Sequence, residues 1–361
     1  MKTSNSSGMI VTVTLVLLFA ACGLASADPP GWTSTQITDN HYIDSQARIF
    51  GSKIVWQEFD WLDSQILLYD GAVPTRISDK NFDNLNPRIA ESMVVWQGYD
   101  GSDFEVFLHD ANATRQLTDN SYNDEKPRVS SSTVVWEGYE GTDSEIFLYD
   151  GRTVKKLTDN QYDDCRPRIS DSAVVWQGHD GTDWEIFLYD GTRTRQLTDN
   201  SYDDDAPEVF GSRVVWCGDD GTDTEIFLYD ANTTAQLTRN RHPDCQAQLS
   251  DSVVVWQAFD GSDWEIFLYD GTTPRQLTNN DYDDQQPRVF ESAVVWEGHD
   301  GDDWEIFFYD GTEVTQLINN TDDDRKPQIH GHKVVWERYD GFDWDIFLAE
   351  RLVPSTGATG P

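Results

Sequence analysis

The chain repeats itself every 40 residues. A β-branched pair followed by tryptophan occurs eight times, first as Ile54-Val55-Trp56, then as Val-Val-Trp ending at Trp96, Trp136, Trp176, Trp216, Trp256, Trp296 and Trp336. No insertion or deletion disturbs this period. Strict repetition at such a length calls for modules that stack on their neighbours, since one module alone cannot bury its apolar face.

Residues 167–206 show what a module must be. An extended run at 167–170 is followed by a polar Asp171-Ser172 turn and a strand at 173–177. Asp180-Gly181 then turns the chain into a strand at 184–189, and Asp190-Gly191 turns it again into a weaker strand at 194–198. Four strands joined by tight Asp-Gly turns make an antiparallel meander. The middle strands are apolar on both sides: Val174, Val175 and Trp176 are adjacent, as are Ile186, Phe187, Leu188 and Tyr189. Such strands must be covered on both faces, which a propeller achieves by sandwiching each sheet between two others.

The ends give the topology. The last repeat stops after its third strand, at 346–348, and the chain begins with an orphan fourth strand at 35–40. Joining the two leaves no bare sheet edge. The expected fold is an all-β, eight-bladed β-propeller of four-stranded antiparallel blades, closed by the N-terminal strand completing the last blade. The eight repeated tryptophans, Trp56 to Trp336, form its core.

Residues 1–27 read as a secretory signal peptide: Lys2, an apolar stretch from Met9 to Ala20, and Ala25-Ser26-Ala27 before Asp28. The ring is expected over 28–350, with a flexible tail at 351–361. The protein is therefore expected to be exported, to periplasm, extracellular space or cell surface. A lipid anchor at Cys22 competes with cleavage after Ala27, and no later stretch is apolar enough to span a bilayer. The net charge is −39, and residues 1–27 carry one lysine and no acid, so the remainder carries −40. That charge argues against nucleic acid and favours cationic partners or metal ions. Cys165, Cys217 and Cys245 are an odd set; a Cys217–Cys245 disulfide is one reading, and free thiols are the other.

The loop after each second strand and the loop between blades should emerge on one face, which is strongly acidic. It carries Asp180, Asp183, Glu185, Asp203 and Asp204, and their counterparts include Asp260, Asp263, Asp300 and Asp303. Turn chemistry alone accounts for Asp at such places. The competing reading is Ca²⁺, which takes several hard oxygen ligands. Trp184, Trp264, Trp304 and Trp344, with Phe104, open the third strands; they either pack between blades or form an arc of rings suited to sugars. Arg48, Arg88, Arg128, Arg168 and Arg288 open the innermost strands. Pairing with neighbouring acids is the first expectation for them, and an anion-binding channel is the second. His330-Gly331-His332 is a lone H-x-H with no third ligand in view.

The unit V-V-W-x-x-x-D-G-x-D-x-E-I-F-L-Y-D, followed by Q-L-T-D-N and P-R-I, resembles the TolB-type, WD40-like β-propeller repeat. Trp176, Asp180, Gly181, Asp183, Ile186, Tyr189, Asp190, Leu197, Thr198 and Pro167 carry the match. The resemblance implies an exported or surface propeller. Members of that group bind partners, accompany peptidases, or in related propellers cleave pectate fragments. The Tol-system protein itself has six blades and an extra domain, which this chain does not reproduce. The function expected here is a non-catalytic binding scaffold for protein or glycan, acting through the acidic face with Ca²⁺ as its one candidate cofactor. A carbohydrate-active lyase or glycosidase and a structural surface-array component are the alternatives. The near-identity of the repeats favours the scaffold, because catalysis needs one asymmetric constellation.

Overall fold

The computed structural model describes residues 28–352 apart from Lys80, Asn112 and Ser252. The expected signal peptide, Cys22 and most of the expected tail lie outside the described residues. Eight four-stranded antiparallel sheets form the ring. We number the blades 1 to 8 along the chain: 43–76, 84–116, 124–156, 164–196, 204–236, 244–276, 284–316, and 323–351 joined by 32–36.

Closure is as the sequence implies. The strand Trp32–Gln36 lies antiparallel to the strand Trp344–Arg351, with Trp32 opposite Arg351 and Gln36 opposite Phe347. The pairing carries the last strand one residue past the expected boundary at 350, and the closing strand begins three residues before 35. Thr38 locks the joint: its hydroxyl donates to Asp345 Oδ1 at 2.9 Å and accepts the Ile346 N–H at 2.9 Å.

Each blade is built around its tryptophan. All eight are at most 1 % exposed. Burying one removes roughly 200 Å² from water, worth about 5 kcal/mol before chain entropy is subtracted. The indole N–H would be orphaned there, so each donates to a buried carboxylate or amide twelve residues earlier, as Trp176 does to Asp164 Oδ1 at 2.7 Å. The other Asp164 oxygen accepts from Asn160 at 2.5 Å. Phe187 stacks on the Trp176 ring at 5.8 Å. Gly178 completes the cluster: a Cβ there would lie 2.3 Å from Asp164 Oδ1 and 2.9 Å from the Phe187 ring.

The innermost strands start earlier than expected, at Asp164 rather than Pro167 in blade 4. A bulge conceals them from pattern reading: register shifts between Cys165 and Arg168, with Arg166 left-handed at φ 54°. The bulge N–H bonds the preceding blade, Arg166 N to Glu137 Oε2 at 2.9 Å and Lys326 N to Glu297 Oε2 at 2.7 Å. Across the closing joint, Gln46 N bonds Glu337 Oε1 at 2.5 Å. A local irregularity thus ties one sheet to the next around the ring.

Candidate cation sites on the acidic face

The second hairpin starts with an Asx turn in every blade but blade 3, where Glu140 takes the place of the aspartate. In blade 4, Asp180 Oδ1 accepts the Thr182 N–H at 2.8 Å and the Thr182 hydroxyl at 2.6 Å, which holds its carboxyl below the usual range. The turn reading of Asp180 therefore describes its Oδ1. The residues that follow it behave differently. Asp263 and Glu265 in blade 6 are almost wholly buried, and Asp263 Oδ1 and Glu265 Oε2 accept no hydrogen bond. The same holds for Asp103 Oδ1 and Glu105 Oε2, Asp303 Oδ1 and Glu305 Oε2, and both oxygens of Asp223. The first oxygen of each glutamate is used locally: Glu265 Oε1 accepts the Asn280 N–H at 2.8 Å.

Carboxylates converge in five of the blades. One oxygen from each of Asp260, Asp263 and Glu265 lies within 4.8 Å of the others, and likewise for Asp300, Asp303 and Glu305, for Asp100, Asp103 and Glu105, for Asp340, Asp343 and Asp345, and for Asp180, Glu185 and Asp199. That spread suits oxygens around one ion at about 2.4 Å. Burial, with Asp324, Asp303 and Asp300 nearby, pushes Glu305 up to about 8. Burial and then Asp300 push Asp303 up to about 6. Asp263 and Asp103 are raised for the same reasons. Crowded, desolvated carboxylates are relieved by a proton or by a cation.

One blade holds a cation of its own, and a second carries a basic residue at the same register position. Position 156 is glutamine in six blades, but lysine in blade 3 and arginine, as Arg76, in blade 1. Lys156 Nζ sits 2.9 Å from Glu140, 3.3 Å from Glu145 and 2.8 Å from Asp159. In blade 1 the buried glutamate is replaced by Gln65, whose amide donates to Asp63 at 2.7 Å. Among the described residues, no converging acid group occurs in either of these blades; all five occur where the residue is glutamine. Sequence reading missed this exchange, although its signal, one register position alternating between Gln and a basic residue, was in plain view.

The other expected ligands have different partners. Asp204 accepts Trp216 Nε1 at 2.8 Å and Asn200 Nδ2 at 2.6 Å, so both oxygens serve the blade core. Asp203 Oδ1 caps the third strand through the Trp184 N–H at 3.1 Å. Asp183 is buried and takes the Thr182 hydroxyl at 3.2 Å, outside the group formed by Asp180, Glu185 and Asp199.

Trp184, Trp264, Trp304, Trp344 and Phe104 are half-buried. Each meets the residue opposite it edge-on or tilted: His179, Phe259, His299, Tyr339 and Tyr99, at 5.4 to 5.7 Å. Arg325 covers Trp304 at 4.3 Å. More exposed rings come from the interblade loops: Tyr42, Phe82, Tyr162, Tyr202 and Tyr282. Tyr162 lies over Gly181, where a Cβ would fall 2.7 Å from its hydroxyl. Between blades 6 and 7, Tyr282, His299 and Trp304 line a groove of about 450 Å³ with Asp263, Asp281 and Asp283.

Three further expectations are settled by geometry. All three cysteines are free; Cys217 and Cys245 lie on different blades and share an apolar cluster rather than a bond. His330 is held by Phe50 and Phe290, ring centroids 4.4 and 4.5 Å away, and accepts the Gly51 N–H at 3.1 Å, so its Nδ1 is already engaged. The arginines of the innermost strands do not, as a set, pair with acids: among the described residues only Arg168 does, with Glu208 at 2.8 Å.

No family model matches the chain, and no curated protein matches it. Solved structures do. The β-propeller domain of the Trilobed protease from Pyrococcus furiosus, described as an open velcro topology, aligns with TM-score 0.57 and 13% identity over 78% of this chain and 96% of that one. The computationally designed Ika8 protein gives 0.59 and 17% over 86% and 98%. A puromycin-hydrolyzing peptidase of Mycobacterium tuberculosis gives 0.57 and 16% over 88% of this chain and 62% of that one. The likeness is one of fold alone. This chain spans less than two thirds of the full-length peptidase.

Proposed function

We propose that the protein is an exported, non-catalytic binding scaffold of TolB-like type, whose acidic face takes up Ca²⁺ and presents it to a glycan. The observation that carries this reading is the presence of five converging acid groups on one face, four of which include a residue with a buried carboxylate oxygen that has no donor. Repeated copies of one cluster suit multivalent contact, which raises avidity without tight individual sites. Each cluster supplies fewer oxygens than the six to eight Ca²⁺ takes, which leaves room for water or for sugar hydroxyls. The groove beside Asp263 puts Trp304 and Tyr282 next to such a cluster, and aromatic faces pack on the apolar side of sugar rings.

The test is a Ca²⁺ titration of chelator-treated, desalted protein by calorimetry and thermal melting, with Mg²⁺ in parallel. Each occupied site at 100 times its Kd adds about 2.7 kcal/mol, so several sites should raise Tm by many degrees. The double variant Asp263→Asn with Glu265→Gln should bind one ion fewer. An unchanged Tm at about 5 mM Ca²⁺ removes the cation reading. A glycan array probed with and without Ca²⁺ then examines the partner; binding that survives Trp304→Ala and Ca²⁺ removal would argue for a different surface.

A further inference from the structure

The axis of the ring has a chemistry opposite to that of its face. Two residues after each bulge, the innermost strand presents one side chain to the central channel. These are Arg48, Arg88, Arg128, Arg168, Glu208, Gln248, Arg288 and Gln328, and all eight line one cavity of about 270 Å³. Five guanidinium groups therefore share a small space with one carboxylate, in a molecule whose net charge is −39.

Each arginine is fixed in the same way. Its Nη1 donates to the carbonyl of the residue before it: Arg48 to Ala47 at 2.7 Å, Arg88 to Pro87 at 2.7 Å, Arg128 to Pro127 at 3.0 Å and Arg288 to Pro287 at 2.8 Å. That contact orients the planar fork and uses no charge. Arg168 alone has an acid, Glu208. Among the described residues, Arg48, Arg88, Arg128 and Arg288 form no ion pair. Acids do stand close by, but they serve other cations: Glu137 takes Lys126, Glu297 takes Arg325, and Glu337 takes Lys326. The cost is visible on the arginines themselves: burial and then their neighbours hold Arg88 and Arg128 below the usual range.

We propose that the central channel binds a small oxyanion of charge two or three, a phosphate or a polycarboxylate, through Arg48, Arg88, Arg128 and Arg288. Guanidinium forks match both oxyanions in geometry and bind them with charge-assisted, bidentate hydrogen bonds. The cavity has the volume of roughly nine water molecules, which admits a small anion and excludes a folded segment. Glu208 and Gln248 leave one sector without free positive charge, so the anion sits toward the opposite arc. This site is independent of the cations on the acidic face.

The experiment titrates desalted, calcium-free protein with inorganic phosphate and with citrate by calorimetry, and follows Tm against sodium chloride of matched ionic strength. One of the two anions should bind at one per ring and raise Tm beyond the chloride control; which one does so identifies the source. Arg88→Gln with Arg128→Gln should weaken binding at least tenfold. Glutamine already occupies the equivalent place at Gln248 and Gln328, so the substituted ring should fold. Glu208→Gln removes the one competing acid, releases Arg168, and should tighten binding several-fold. Neither anion exceeding chloride, or affinity unchanged in both variants, would overturn the proposal.

Discussion

The indole–carboxylate pair at the centre of seven of the eight blades, with Asn84 in place of the aspartate in blade 2, is a polar contact where apolar packing would be simpler. Leaving the indole N–H without an acceptor would cost about 1–3 kcal/mol, and the aspartate removes that penalty by accepting desolvation of its own. Burial above all pushes Asp44, Asp124, Asp244 and Asp284 up to about 7, and Asp164 up to about 6. The sign of the consequence follows from linkage. An aspartate that titrates near 4 when unfolded and near 7 when folded holds its proton in the folded state across that interval, so stability is greatest at its acid end and declines as pH rises through it. In Ca²⁺-free buffer, Tm should be higher at pH 5 than at pH 8. A melting series that rises steadily with pH would contradict this. The pairing is not legible in the sequence: Asp164 and Trp176 are twelve residues apart, and the acid-rich loop around Asp204 suggests a metal ligand instead.

Within an element, the hairpin Asp-Gly-x-Asp-x-Glu combines two roles that a sequence pattern cannot separate. Its first aspartate forms the turn, and its buried aspartate and glutamate are drawn inward with the third strand. Blade 3 shows the hairpin in a different state, with Lys156 seated among Glu140, Glu145 and Asp159. Lys156→Gln restores the residue found in six other blades and removes that ammonium. The variant should melt several degrees lower than the parent without Ca²⁺ and regain the loss when Ca²⁺ is added. An equal loss with and without the ion would show that the lysine has only a packing role. Strand positions were readable from the β-branched and aromatic runs. The first three residues of the innermost strands are not legible, because bulge positions such as Arg166, Lys126 and Ala206 break the alternation and carry no glycine to announce their left-handed backbone.

At the scale of the molecule, closure rests on a five-residue strand and on Trp32, which packs edge-on to Phe308 at 4.9 Å. Removing residues 28–36 would strip the outer strand from blade 8 and bare an edge that can pair with another chain. The truncated protein should lose cooperative melting and run as dimers or larger species in size-exclusion chromatography with light scattering; an unchanged monomer with unchanged Tm would mean the joint is dispensable. The sequence by itself determined the period, the number of blades, the strand order and the joining of the two ends, because each follows from local patterning and from the need to cover apolar strands. Only the tertiary structure decided which acids converge, which are absorbed by tryptophans, and that four channel arginines form no ion pair among the described residues. Those outcomes depend on the directions in which side chains from separate strands and neighbouring blades meet, and on how much water remains between them.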